Sequence, residues 1–133
     1  AYLYTLAGRP SRTQELVRQI FDTQYLPTPE GLCGNDDCGQ MSAWYILSAM
    51  GFYPVDPVSA TYVFGAPQLP RIALHLQNGR TFTVVAEGLS KENKYVQRIL
   101  RNGRPYRRRT ISHEDILKGG ELRFVMGSRP CDK

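Results

Sequence analysis

The chain has 133 residues, which is enough for one ordinary domain or for two small halves. Its composition is 41% hydrophobic and 22% charged, without a run of about 18 apolar residues, and this excludes a disordered chain and a membrane-spanning one. The net charge of +5 is unevenly distributed: residues 1–56 carry three basic and six acidic side chains, and residues 57–133 carry fourteen and six. We therefore expect the two parts of the chain to do different things.

The N-terminus and the cysteines bear on the cellular compartment of the protein. The sequence starts at Ala1 in the middle of a helical pattern, and it shows no basic segment followed by an apolar one, as a signal or transit peptide would have. Three cysteines are too few for a disulfide scaffold. Cys33 and Cys38 form either a small bridge in an oxidising compartment or two free thiols, and Cys131 is left over. A zinc site is not expected, because no C-x-x-C motif or pair of histidines accompanies them.

Apolar residues at helical spacing predict helices in the first part of the chain. Gly8 and Gly51 are predicted to stop two of them in the left-handed conformation. Ser11, with Gln14 three residues later, is the predicted N-cap of the second helix. The three predicted helices cover residues 2–7, residues 11–25 and residues 38–50.

Beyond Pro57 the apolar period changes from 3.6 to 2, which predicts strands. Two Asn-Gly pairs, at Asn78 and Asn102, predict tight hairpins. Ser112 is the predicted cap of a short helical turn that reaches Lys118. The predicted strands cover residues 72–77, 81–86, 95–100 and 122–126. The predicted fold class is α+β, with helices in residues 1–56 and an antiparallel β region in residues 57–133.

The most unusual residues lie in the glycine-rich stretch 31–40, immediately before the third predicted helix. Its glycines allow a tight turn and a close approach to a ligand, and Asp36 and Asp37 add two adjacent carboxylates. A helix N-terminus stabilises an anion, so one aspartate can stay ionised while partly desolvated, as a general base must. Equally, Asp36 or Asp37 can act simply as the N-cap of the helix. Both interpretations remain open at this level.

Other candidate sites are weaker. The stretch lacks the alternating oxygen ligands and the final glutamate of an EF-hand. His75 and His113 lie far apart in sequence and have no serine or cysteine motif beside them, which favours ordinary surface histidines. Arg107, Arg108 and Arg109 can contact phosphate, but three solvated cations in a turn are the commoner arrangement. No aromatic RNA-binding motif or zinc finger is present, so no nucleic-acid partner is expected.

Two stretches carry a resemblance to a known family. Residues 31–45 read Gly-Leu-Cys-Gly-Asn-Asp-Asp-Cys-Gly-Gln-Met-Ser-Ala-Trp-Tyr, and residues 48–55 read Ser-Ala-Met-Gly-Phe-Tyr-Pro-Val. They resemble the C-terminal signature of glycoside hydrolase family 92, the calcium-dependent exo-α-mannosidases. Cys33 stands where a proline is expected, and Asp36 stands where glutamate is common. Further matches cover essentially the whole chain, among them Tyr2-Leu3-Tyr4, Asn78-Gly79-Arg80-Thr81-Phe82, His113-Glu114-Asp115 and Gly119-Gly120.

The resemblance implies an enzyme with an N-terminal β-sandwich and an (α/α)6 barrel, of which this chain is the last portion. Residues 1–56 would be the terminal barrel helices, and residues 57–133 a C-terminal β region. The implied reaction removes terminal mannose, chiefly α-1,2-linked, with inversion, which requires an acid and a base roughly 6.5–9.5 Å apart. By position in the motif Asp37 is the base, and Gly34, Asn35 and Asp36 line the same loop against the substrate.

The same resemblance implies that part of the machinery lies outside this chain. The general acid is a glutamate upstream of it, and calcium, held mostly by other residues, binds sugar hydroxyls. The expected partners are a mannose-containing glycan and the remainder of the same enzyme, in a secreted, periplasmic or cell-surface location. The chain alone is expected to be inactive. The alternative is a non-catalytic carbohydrate-binding or structural module derived from that family.

Overall fold

The computed structural model describes residues 1–23, 40–56 and 58–132, and the side chains of residues 40–42 are outside that description. Helices come first: α1 (Leu3–Leu6), α2 (Pro10–Thr23) and α3 (Gln40–Met50). The glycine stops are confirmed, because Gly8 and Gly51 have φ angles of 89° and 100°. No helix in these described stretches is long and apolar enough to cross a membrane.

The start of α2 differs from the prediction. The helix begins at Pro10, so Ser11 lies inside it and the predicted N-cap is wrong. Proline suits a first helical position because its ring fixes φ and its missing N–H needs no partner there. The Ser11 N–H donates instead to the carboxylate of Asp132, at 2.8 Å. A side chain distant in sequence therefore satisfies the first free donor of this helix.

The described part of the chain contains eight strands: β1 (Phe52–Tyr53), β2 (Thr61–Phe64), β3 (Arg71–His75), β4 (Thr81–Glu87), β5 (Tyr95–Arg101), β6 (Arg104–Pro105), β7 (Thr110–Ser112) and β8 (Gly120–Gly127). They form two sheets. The small sheet has the order β1-β2-β7, with both pairs antiparallel. None of its three strands is among those that the period of two predicts. The larger sheet has the order β3-β4-β8-β5-β6.

The local turns are as predicted. The two Asn-Gly pairs lie in the turns of the hairpins β3–β4 and β5–β6, and Asn102 has a positive φ of 50°. The short helix α4 (His113–Leu117) begins with the Asp115 N–H donating to Ser112 Oγ at 3.1 Å, which confirms the predicted cap.

The helices followed by sheets confirm the α+β class. The larger sheet is mixed, however, so the prediction of a purely antiparallel β region is wrong. β4 and β8 pair in parallel, with Phe82 opposite Gly120 and Val84 opposite Leu122. A parallel pair needs a long crossover connection, and here β5, β6, β7 and α4 make it. The division of the chain at residues 56 and 57 stays a prediction.

One face of the larger sheet forms the main core. Phe82, Val84 and Ala86 alternate inward on β4, and Leu122, Phe124 and Met126 do so on β8. Met50 at the end of α3 and Phe52 in β1 pack in the same cluster. A second cluster of Tyr2, Val17 and Val63 joins α1 and α2 to the small sheet. The helices are therefore held against the β region by buried apolar side chains.

The central position of Phe124 gives a test of this core. The side chain is fully buried, and its ring contacts Phe64 edge to face with centroids 5.5 Å apart. We expect Phe124→Ala to lower the free energy of unfolding by about 3–5 kcal/mol, because it removes buried contacts and leaves a cavity. Val58→Ala, at a side chain that is 91% exposed, is the control and should change it by less than about 0.5 kcal/mol. If denaturant unfolding showed the same loss of unfolding free energy in both variants, the central packing of Phe124 would be contradicted.

Candidate active site

The predicted site residues Gly34, Asn35, Asp36 and Asp37 lie outside the described residues, as do Cys33 and Cys38. Their roles stay predictions. The structure does describe α2 up to Thr23 and α3 from Gln40 onward. The contacts that hold these two helices therefore fix the chain on either side of the predicted site.

Aromatic rings join α2 to α3 close to the predicted site. Phe21, in the last turn of α2, stacks on Tyr45 in α3 with ring centroids 4.7 Å apart. Its ring also contacts Trp44, at 5.7 Å and an interplanar angle of 36°. Such ring pairs contribute about 0.5–1.5 kcal/mol beyond the apolar area that they bury. The last described turn of α2 is thus held against α3.

A buried hydrogen bond joins α3 to the N-terminal residues. The Tyr2 hydroxyl donates to Ser48 Oγ at 2.7 Å, and both side chains are buried. Burial raises the pKa of Tyr2 well above its usual value, so the phenol remains a neutral donor. The Tyr2 ring also stacks on Tyr53, with centroids 5.6 Å apart. This contact fixes the C-terminal half of α3.

Polar side chains join α2 to β5. Gln14 is buried, and its Oε1 accepts a hydrogen bond from the Val96 N–H at 2.9 Å. The next residue, Glu15, lies against Tyr95, whose hydroxyl donates to the Glu15 carboxylate. Arg12 Nη1 donates to the other oxygen of Glu15 at 3.0 Å. These hydrogen bonds fix the position of α2 relative to the larger sheet.

The hydrogen bond between Glu15 and Tyr95 shifts the pKa values of both side chains. Hydrogen bonds from Tyr95 and then from Arg12 lower the pKa of Glu15 below its ordinary value. The same hydrogen bond to Glu15, acting with burial, raises the pKa of Tyr95 to about 12. A neutral phenol donating to an ionised carboxylate is the stable pairing.

Arg18 extends the same contact towards the end of α2. Its Nε donates to Gln68 Oε1 at 2.7 Å, and its Nη atoms lie 3.4 and 3.5 Å from the carbonyl oxygens of Ser90 and Lys91. These contacts of Glu15 and Arg18 were not predicted, and Gln14 was expected only beside the Ser11 cap, because polar side chains on a helix ordinarily face solvent. Their spacing, which puts them on one face of the helix, is the only signal that the sequence offered.

The histidines do not converge on a site. His75 lies on the exposed face of β3, with its Nδ1 3.3 Å from Thr81 Oγ1. His113 lies at the start of α4, and its Nδ1 is 3.0 Å from the Tyr62 hydroxyl. Within the described ranges, no group of three or more His, Cys, Asp or Glu side chains could hold a metal ion. Cys131, the described cysteine, is a free thiol.

The pairing of Tyr95 with Glu15 predicts a pH dependence of stability. At pH 7 we expect Tyr95→Phe to lower the free energy of unfolding by about 1 kcal/mol, the usual contribution of one hydrogen bond. The contribution of Glu15, whose folded pKa is lowered, is present above its ordinary pKa and is lost as the pH falls through the folded value. The contribution of Tyr95 is fully present below pH 10 and is lost as the pH rises through about 12.

Unfolding curves of wild type and Tyr95→Phe between pH 3 and pH 11 measure this difference. It should be largest near neutral pH and shrink at both ends of the range. Tyr4→Phe, at an exposed tyrosine, is the matched control and should show no such dependence. A difference that is constant with pH would show that the hydrogen bond to Glu15 does not carry the effect.

Comparison with known proteins gives a match over nearly the whole chain. The family model described as the glycosyl hydrolase family 92 catalytic domain matches residues 1–128. A protein of Arthroderma benhamiae named "Uncharacterized secreted glycosidase" is 33% identical over 129 residues. That alignment covers 95% of this chain and 17% of the relative.

Solved structures of larger proteins contain the same fold. The GH92 α-mannosidase BT3965 from Bacteroides thetaiotaomicron, in complex with mannoimidazole, superposes with a TM-score of 0.93 at 41% identity. The GH92 inverting mannosidase BT2199 from the same organism gives a TM-score of 0.91 at 40% identity. Each match covers 98% of this chain, but only 17% and 18% of those two chains. The chain thus spans less than a fifth of the length of these relatives.

Proposed function

Because this chain belongs to glycoside hydrolase family 92, we propose that it forms the C-terminal part of an inverting exo-α-mannosidase acting on α-1,2-linked mannose. The observation that carries the proposal is the family match over residues 1–128, which includes both the helices and the larger sheet. The structures of BT3965 and BT2199, at 41% and 40% identity, are described as those of mannosidases, and BT2199 as inverting.

In the proposed reaction Asp37 is the general base. Inversion needs a carboxylate that removes a proton from water as it attacks the anomeric carbon, and a second, protonated carboxyl that protonates the leaving oxygen. The acid comes from sequence outside these 133 residues. Asp37 precedes the first described residue of α3, Gln40, by three positions, and the positive end of a helix stabilises an ionised carboxylate nearby.

The contacts that fix α2 and α3 support this role. A base must be held within a fraction of an ångström of its water, so the elements on both sides of it have to be rigid. The stacking of Phe21 on Tyr45 and the hydrogen bond between Tyr2 and Ser48 supply that support. Gly34, Asn35 and Asp36 are proposed to contact the substrate from the same segment.

Calcium is proposed as the cofactor. Bound calcium would supply a hard cation that coordinates sugar hydroxyls through oxygen. The part of this chain that the structure describes offers no cluster of acidic side chains or histidines for it. Its ligands are therefore proposed to lie outside these described residues.

The proposed partners and location follow from the substrate. A mannose-containing glycan is the proposed ligand, and the remainder of the enzyme, with a β-sandwich and the rest of a helical barrel, is the proposed structural partner. A secreted, periplasmic or cell-surface location suits such a substrate. The relative from Arthroderma benhamiae carries the word "secreted" in its name, which supports this location.

Asp37→Asn tests the general base. In the complete enzyme we expect kcat on an α-1,2-linked mannobiose to fall by about 10²–10⁴-fold with little change in KM, because an amide cannot accept the proton. Asp22→Asn, at an exposed carboxylate in the last described turn of α2, is the matched control and should keep wild-type turnover. Asp36→Asn should mainly raise KM if that residue contacts substrate.

Two outcomes would contradict the proposal. Unchanged turnover of the folded Asp37→Asn variant would favour the non-catalytic module. Release of mannose as the α-anomer, followed by NMR during the first minutes of reaction, would exclude an inverting mechanism.

Chelation tests the proposed calcium. Removing calcium from the complete enzyme with EGTA should lower turnover by about a hundredfold, and added Ca²⁺ should restore it, because the cation would hold the sugar in place through its hydroxyls. Mg²⁺ is the control ion, and it should restore less because it requires smaller, octahedral sites. Full activity after exhaustive chelation would rule out calcium as the cofactor.

A further inference from the structure

A concave surface lies beside the start of α2. It is a cleft of about 440 Å³ between the start of α2, strand β5 and the chain that leads from β6 to β7. Most of its lining is apolar, with Tyr106 among the lining side chains. Four arginines also line it: Arg98, Arg107, Arg108 and Arg109. We refer to it as the arginine cleft.

Three of the four arginines that line the arginine cleft have no ion-pair partner among the described residues. Across the described ranges 1–23, 40–56 and 58–132, no carboxylate oxygen lies within 4 Å of the side-chain nitrogens of Arg98, Arg107 or Arg108. All three residues are exposed. Arg109 differs, because its Nη1 donates to the Thr5 carbonyl oxygen at 3.3 Å. Like charges crowded on a concave apolar surface concentrate a positive potential that attracts anions.

Asp132, next in sequence to the lining residue Cys131, is occupied by other contacts. Asp132 accepts the hydrogen bond from Ser11, and Arg9 Nε lies 3.8 Å from its other oxygen. Hydrogen bonding by Ser11 lowers the pKa of Asp132, and the charges of Arg9 and Arg109 lower it further. Asp132 thus satisfies the helix end and leaves Arg98, Arg107 and Arg108 available.

The arginine cleft and the aromatic contacts of Phe21 lie at opposite ends of α2. Pro10 and Gln14 line the cleft at the start of the helix, whereas Phe21 lies in its last described turn. A helix of 14 residues is about 20 Å long at about 1.5 Å per residue. One extended glycan can span the distance from the cleft to that last described turn.

We propose that the arginine cleft binds a phosphate ester group carried by an acidic glycan. Arginine suits this anion because its planar guanidinium donates two parallel hydrogen bonds to a pair of phosphate oxygens. The apolar part of the lining can contact the carbon-bound hydrogens of adjacent sugars. That the phosphate sits on a glycan rests on the proposed mannosidase function, whereas binding of the anion does not. Free phosphate has the same chemistry, and the experiment separates the two sources.

The test uses the complete protein and isothermal titration with three probes: a phosphorylated mannan, the same mannan after phosphatase treatment, and inorganic phosphate. We expect the phosphorylated mannan to bind more tightly than the treated one. The double variant R107Q/R108Q should weaken its binding by about tenfold or more, since hydrogen bonds between charged groups are lost. R71Q/R80Q is the matched control, because it removes the same charge from exposed arginines of the β3–β4 hairpin, outside the cleft. It should bind like the wild type.

Several results would overturn the proposal. Equal losses in R107Q/R108Q and R71Q/R80Q would show general charge attraction. Tight binding of inorganic phosphate, without a difference between the two mannans, would assign the cleft to free phosphate. A lower unfolding midpoint of R107Q/R108Q than of the control would show that another part of the enzyme covers the cleft. If the wild type releases no mannose from either mannan, the proposed function fails, and the titrations still report on the anion.

Discussion

Stacking of Phe21 on Tyr45 is the contact on which the proposed active site depends. It joins the last turn of α2 to the first half of α3, and the segment with Asp37 connects these two helices. Its energy is modest, about 0.5–1.5 kcal/mol beyond area burial, but it acts between two elements that other contacts already fix. A general base needs accuracy of position more than additional binding energy, and two anchored helix ends provide that accuracy.

The anchoring of α2 uses polar groups where an apolar face would be expected. Gln14 satisfies a backbone N–H of β5, and Glu15 accepts from a tyrosine of the same strand. Apolar contacts tolerate sliding, whereas hydrogen bonds of fixed geometry define one register between a helix and a strand. Arg18 adds a third polar contact, to the chain after β4. The helix before the predicted base is thus aligned by direction-dependent bonds as well as by the buried Val17.

Local signals predicted the local structure well. The Asn-Gly turns, the cap at Ser112 and the stop at Gly51 depend on a few neighbouring residues, so they can be read from the sequence. The parallel pairing of β4 with β8 depends on residues distant in sequence, and the cap of α2 by Asp132 does too. The family was recognisable because the stretch around Asp37 is long and specific. Its chemical roles rest on that resemblance, because they require groups outside this chain.

The order of strands in the larger sheet constrains how it is assembled during synthesis. β8 is the last of the described strands to be made, yet it lies in the centre of this sheet, between β4 and β5. Until it leaves the ribosome, the hairpins β3–β4 and β5–β6 have no common neighbour, and each exposes an unpaired edge prone to wrong association. Premature termination before Gly120 would therefore leave two separate ribbons with uncovered apolar faces, a natural substrate for chaperones and proteases.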